Sequence, residues 1–214
     1  MHISSEHEER LKFIKEYFST IENASKFAAD QIFVREVASL KLDRFSSDDE
    51  ISEERVTGVQ LFSIEVSEMI RAQMVIILWA YFENLFFSAT RSIALHKGIS
   101  RPFKKLKEVS LVESWKQYLV EEAKFESDIS EQDWEMLVDT LHVRNLIAHQ
   151  SHRPSSQPTG RQMEAIERLK GIKVTLDGIS VSRNFIESHL YFANEILAKL
   201  SGDHWVESES FDLS

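Results

Sequence analysis

Met74-Val75-Ile76-Ile77-Leu78-Trp79-Ala80-Tyr81-Phe82 is the longest unbroken apolar run in the chain, and Glu83 and Asn84 interrupt it at once. A membrane span needs about 20 such residues, so this run predicts a buried helix. The helical pattern extends from about Val56 to Lys97. Phe62, Val66, Met69 and Ile70 lead into Ile77, Leu78, Tyr81, Phe82, Leu85 and Phe86. Apolar residues that reach around a helix mark a central element packed from several directions. Part of such a surface can also face a second subunit. Gly98 suits the residue just past the helix end, where the left-handed conformation is needed.

Composition points the same way. The chain has 214 residues, 43% hydrophobic and 28% charged, enough for one sizeable core in a single domain. Six glycines and three prolines are few, which disfavours sandwiches, barrels and low-complexity linkers. No cysteine occurs, which excludes disulfides, thiolate catalysis and cysteine-based zinc sites. That usage fits a reducing, cytoplasmic setting. The segment Met1 to Glu6 lacks the basic and apolar regions of a secretory signal. A net charge of −10 argues against a general nucleic-acid coat, although local charge matters more than the sum.

Outward from the central helix, Glu6 to about Ser39 predicts one or two helices carrying Leu11, Ile14, Phe18 and Ile21. Ser46-Ser47-Asp48-Asp49-Glu50 reads as an acidic connector. Downstream, Ser110 with Glu113 and Thr159 with Gln162 form capping boxes, and Ser130 and Ser182 are good N-caps. Ile172 to Val181 around Asp177-Gly178 predicts a hairpin in which Leu176 faces Ile179 and Val174 faces Val181. The expected fold is all-α, an up-down multi-helix bundle with a short β-hairpin before the C-terminal helix. It would occupy residues 1–202 as one domain, with N-terminal helices at 6–40 and a core at 56–200. The acidic tail 203–214 is expected to be disordered.

The candidate chemistry lies in Arg144-Asn145-Leu146-Ile147-Ala148-His149, at the end of a helix whose apolar face is Trp134, Leu137, Val138 and Leu141. An arginine, an amide and a histidine together suit holding a phosphate and moving a proton. They equally suit capping a helix end. From Thr140 to Met163 there is no acid, while His142, Arg144, His149, His152, Arg153 and Arg161 all fall there. A second basic run, Lys97 to Lys107, holds Arg101 and Lys104. A positive window on a negative body can focus a phosphodiester. Glu83 is the odd residue of the central helix: either it lies on the helix's wet edge, or it takes a hydrogen-bonding or cationic partner, with Arg144 or a basic residue of a second subunit as candidates. His149 and His152, with His142 and His189 nearby in composition, have weak zinc-like spacing, and no metal is expected. On an ideal helix an offset of five turns His149 roughly 140° from Arg144. The two can meet one phosphate only if the helix breaks near Ala148 or a symmetry-related copy completes the site.

The motif resembles the Arg-(polar)-x-x-x-His signature of the HEPN superfamily, small all-helical domains of prokaryotic and eukaryotic RNases. Tyr81-Phe82-Glu83 in the central helix is similar to the buried aromatic-acidic segment of stand-alone bacterial members. The resemblance covers roughly Val56 to Leu200. It implies a metal-independent endoribonuclease that needs no cofactor and leaves a 2′,3′-cyclic phosphate and a 5′-hydroxyl, serving as a toxin or in antiviral defence. By that resemblance His149 is the general acid/base, Arg144 holds the scissile phosphate, and Asn145 orients one or the other. His142, His152, Arg153, Arg161, Arg101 and Lys104 would bind RNA, with Glu83 in a supporting role. Family members commonly form homodimers in which two motifs face one cleft, and an antitoxin or other regulatory protein is a possible partner. Ser151 stands where members silenced by a nucleotidyltransferase often carry a tyrosine, which excludes tyrosine modification there. The competing expectation is a non-catalytic dimeric module that binds RNA, nucleotide or a partner protein.

Overall fold

The computed structural model describes residues 5–42, 49–150, 158–175 and 178–201. The acidic tail 203–214 and the first three residues of the acidic connector lie outside them. The elements are α1 (Ser5–Leu42), α2 (Asp49–His96), α3 (Leu111–Gln117), a π-helical turn (Tyr118–Glu122), α4 (Glu131–Gln150), α5 (Gly160–Arg168), β1 (Ile172–Thr175), β2 (Gly178–Val181) and α6 (Arg183–Ser201). The described chain is therefore helical apart from one two-stranded hairpin, as the sequence leads one to expect. The first segment is a single helix, one of the two expected possibilities. One detail differs: Asp49 and Glu50, expected in the connector, begin α2. Carboxylates are favourable there because the first turn exposes unpaired N–H groups.

The centre of the fold is α2, against which α1, α4, α6 and β2 pack. One stripe of it (Trp79, Phe82, Phe86, Ala89, Ile93) lies in a core with Trp115, Trp134, Leu137, Ile196 and Leu200. Phe86 stacks on Trp115 with ring centroids 4.3 Å apart. An earlier stretch, Met74 and Val75, enters a second core with Phe18, Val143, Ile147 and Ile186. Serving two cores explains why α2 is apolar on more than one side. By length and composition Val66–His96 is apolar enough to cross a membrane; in this fold it is the helix on which the others pack. A remaining stripe with Met69, Ile77, Phe87 and Leu95 is exposed.

The buried carboxylate of Glu22 holds α1 in place. It accepts from Arg71 Nε at 2.6 Å and lies 3.4 Å from Arg183 Nη1, so one side chain joins α1, α2 and α6. Further along, Phe185, His189 and Phe192 line the same cavity as Val75, Trp79 and Phe82. The helix α6 thus runs beside α2 in the same direction.

The hairpin forms with a register two residues from the expected one. Val174 pairs with Ile179 and Ile172 with Val181, so the loop is Leu176-Asp177, which lies outside the described residues. Gly178 serves as a strand residue opposite Thr175 at φ +138°, and Thr175 Oγ1 donates to its carbonyl at 3.1 Å. A shift of two keeps each side chain on its face. Ile172 and Val181 are buried, whereas Val174 is exposed. Ile179, opposite Val174, is half-buried against the second core, so the apolar face covers the helices along β2 and at the base of β1. Gly171, at φ +93°, approaches Ser182 so closely that a Cβ would sit 2.3 Å from its Oγ.

Candidate functional site

The helix that carries the motif is anchored at its start and on its inner face. At its start Ser130 and Asp133 cap each other, Asp133 N donating to Ser130 Oγ at 3.1 Å and Ser130 N to the Asp133 carboxylate at 2.8 Å. Lys199 of α6 donates to the same carboxylate at 2.8 Å. Burial alone would raise the pKa of Asp133, but the Lys199 and Ser130 hydrogen bonds outweigh it and hold the group below its usual value. Trp134, Leu137, Val143, Leu146 and Ile147 are buried. Asp139 is also buried and takes a two-pronged bond from Arg168 of α5, Nε at 2.7 Å and Nη2 at 2.6 Å.

Val138 and Leu141 are half-buried and pack against the core that holds Trp134 and Leu137. His142, Arg144, Asn145 and Ala148 are half-buried, and His149 is exposed. Arg144 Nη1 donates to Asn145 Oδ1 at 3.0 Å, and its Nε is buried with no hydrogen-bond partner among the described residues. The ion pairs found among the described residues do not include Arg144. No break occurs near Ala148, because α4 continues through Gln150. Arg144 and His149 therefore sit on one regular helix and diverge, as ideal geometry requires.

The other expected residues divide. His142 and Arg161 come together near Glu113 at the start of α3. The Glu113 carboxyl is lowered first by the Ser110 backbone hydrogen bond, then by the Ser110 hydroxyl, and further by the charges of Arg161 and His142. The acid-free window of sequence therefore has an acid beside it in space. Arg101 is exposed and pairs with Glu122 at 3.1 Å. Its carbonyl accepts from Tyr118 Oη at 2.9 Å, which fixes the loop to the π-helical turn. Lys104 is exposed in the segment between α2 and α3. Ser151, His152 and Arg153 lie outside the described residues. Glu83 does not reach Arg144; it is half-buried and accepts from the indole Nε1 of Trp79 one turn earlier at 3.1 Å. A neutral donor on its own helix satisfies the carboxylate without a cation.

Comparison of the chain with family models, with curated proteins and with solved structures gives no match. What the site can do must come from its own atoms. Arg144 offers guanidinium donors that pair with no carboxylate among the described residues, and His149 offers an exposed imidazole about one and a half turns on. Among the described residues no three His, Asp or Glu side chains converge as a metal would need.

One arrangement is not announced by any sequence motif. A cavity of about 30 Å³ lies between α2, α4 and α6, lined by Val75, Trp79, Leu137, Thr140, Ile186 and His189 among others. Thr140 Oγ1 donates to the Met136 carbonyl at 2.7 Å and lies 2.6 Å from His189 Nε2. With its one proton committed to Met136, the hydroxyl accepts from Nε2–H, which sets the tautomer of the imidazole. His189 also stacks on Phe185 at 4.0 Å. Burial lowers its pKa to about 4, so the ring is neutral near pH 7. The sequence signal is periodic: His189 falls between Phe185, Ile186, Phe192 and Ala193 on the apolar stripe of α6. His189 is a core histidine, away from the exposed His149.

Proposed function

We propose that the chain is a metal-independent endoribonuclease, active as a homodimer and serving as a toxin or antiviral defence effector. The observation that carries this reading is Arg144: half-buried, tethered to Asn145, and with a buried Nε that meets no hydrogen-bond partner among the described residues. An unmet buried donor costs about 1–3 kcal/mol. Such a donor, on the same helix as a solvent-facing histidine, suits a site completed by something outside the single chain. A phosphate and a second subunit together supply that. The half-exposed guanidinium can turn to grip two phosphate oxygens and stabilise their developing charge. One His149 removes the ribose 2′-proton as that oxygen attacks phosphorus. Solvent protonates the departing 5′-oxygen, leaving a 2′,3′-cyclic phosphate and a 5′-hydroxyl. Two copies answer the divergence of Arg144 and His149 on an unbroken α4. Purified protein should cut single-stranded RNA in the presence of EDTA and lose that activity on His149→Ala. Cleavage that EDTA abolishes, or that the variant retains, rules the mechanism out.

A second reading, a non-catalytic dimeric module that binds RNA, nucleotide or a protein, is favoured by the exposed apolar stripe of α2 (Met69, Ile77, Phe87, Leu95). Under it RNA binding survives His149→Ala, and neither protein cleaves.

A further inference from the structure

We propose that the outer face of α1 is a docking seam for a helix of a partner protein, one with an apolar stripe flanked by lysine or arginine. The seam is written in heptads. Phe13, Thr20, Phe27 and Val34 recur every seven residues, and Tyr17, Ala24 and Gln31 interleave them at the same period. Steps of four and three in alternation give the a and d positions of a coiled coil, here over three heptads. This row is not the one that fastens α1 to the body. Every member is exposed, Phe13 at 66%, Phe27 at 65% and Val34 at 60%. The attachment comes from another side of the helix: Phe18 is buried in the second core with Ile14 packed against it, and Glu22 binds Arg71 and Arg183. Scattered exposed apolar side chains are ordinary. A row in register along about 32 Å, at 1.5 Å per residue, is not scatter.

Its shape suits a helix. Phe13 and Tyr17 stack with ring centroids 6.1 Å apart, and Phe27 stands beyond Thr20 and Ala24 along the row. Two small residues between aromatic ones leave a recess, which takes large side chains of a facing helix as knobs into holes. Thr20 Oγ1 already donates to the Glu16 carbonyl at 2.8 Å, so its proton needs no partner across the seam. Gln31 is a polar member of the kind that fixes register.

Charge selects the occupant. The g positions beside the row are Glu9, Glu16, Asn23 and Asp30, all exposed. Lys12 comes within 3.9 Å of Glu16, but both are exposed and such a pair is weak. A second copy of α1 fits this flank badly. Antiparallel, the two acidic flanks face each other. Parallel, Glu9 and Glu16 meet Ile14 and Ile21 of the second copy, and Asp30 with Arg35 is the one opposite-charge pair left. A foreign helix with basic flanks satisfies the same positions, and the net charge of −10 speeds its approach. The inference stands apart from the nuclease reading, because it uses neither Arg144 nor His149.

The test takes the full-length protein and a labelled synthetic helix of three heptads, with leucine at a and d and lysine at e and g. Its like charges keep it from pairing with itself. A second peptide has glutamate in place of the lysines, and a third keeps the lysines but has glycine at a and d. By fluorescence anisotropy the lysine helix should bind at least about tenfold more tightly than either. Phe13→Ser with Phe27→Ser should weaken its binding by about tenfold and leave the thermal melt unchanged, since both rings are exposed. Glu9→Lys, Glu16→Lys and Asp30→Lys together should move the preference to the glutamate helix. Equal binding of the lysine helix and the glycine peptide overturns the proposal, because it reduces the effect to attraction of a polycation. So does undiminished binding by the double serine variant. Sedimentation supplies the remaining check: a parental self-association that the double serine variant abolishes makes the occupant a second copy, and the proposal fails.

Discussion

Arg144 Nη1 donates to Oδ1 of Asn145, its neighbour in sequence, at 3.0 Å. Adjacent residues on a helix point about 100° apart, so this bond draws the guanidinium around α4 in the direction of the asparagine. Asn145 shares the stripe of His142 and His149, because spacings of three and four align. The amide is thus a positioning residue for the arginine. Asn145→Ala is expected to weaken RNA cleavage by roughly tenfold while changing stability by about 1 kcal/mol or less, the worth of one ordinary hydrogen bond. Asn145→Asp should retain the contact, now as an ion pair, but lose phosphate affinity by neutralising the guanidinium. Cleavage rates and thermal melts of both variants check this.

Because Arg144 and His149 diverge on a continuous helix, the proposed site draws its arginine from one subunit and its histidine from the other. Arg144→Ala and His149→Ala should each be inactive alone. Mixed after dissociation and reassociation, they form heterodimers that contain one intact composite site. With random pairing about half the dimers are mixed and each has one of two sites, so about a quarter of the parental activity should return. No recovery on mixing would remove the composite site.

The His189–Thr140 pair gives the fold a pH dependence of known sign. Burial depresses the histidine to about 4 from an ordinary value of 6.5. Between those values the unfolded chain binds the proton and the native protein does not. Stability is therefore lost as pH falls from about 6.5 toward 4, by at most about 3.4 kcal/mol at 1.36 kcal/mol per pH unit. Denaturant melts at pH 7 and pH 5 should show a larger loss for the parent than for His189→Gln, which cannot charge. Equal losses would mean that the ring is hydrated in the native state.

The helical class was readable because its signals are local. Ser110, Thr159 and Ser182 cap as their spacing implies, with hydrogen bonds to Glu113, Gln162 and Phe185, and Gly98 closes α2 at φ +65°. Hairpin register was less legible. Asp-Gly favours a tight turn locally, but tertiary packing of Ile172 and Val181 sets the pairing. The long-range polar pairs were not legible at all. Nothing within either segment marks Glu22 for Arg71, 49 residues away, or Asp139 for Arg168, 29 away. Periodicity tells which face is buried and leaves open which charged residue will be buried with it.

Asp139 and Arg168 illustrate what such a pair does. The carboxylate is 5% exposed in its side chain and the guanidinium 56%, so the two truncations are unequal. Asp139→Ala leaves an arginine that water can solvate. Arg168→Ala strands a buried carboxylate without its cation, a loss of about 3–5 kcal/mol in fully buried pairs and less here because Arg168 is half exposed. Arg168→Ala should therefore destabilise the protein by roughly 2–3 kcal/mol, and Asp139→Ala by about half of that. Arg168 ends α5, the helix that carries Arg161 toward His142. Loosening it should also weaken RNA binding without touching Arg144 or His149. Urea melts give the order of the two variants, and a reversed order would show that Asp139 finds another partner.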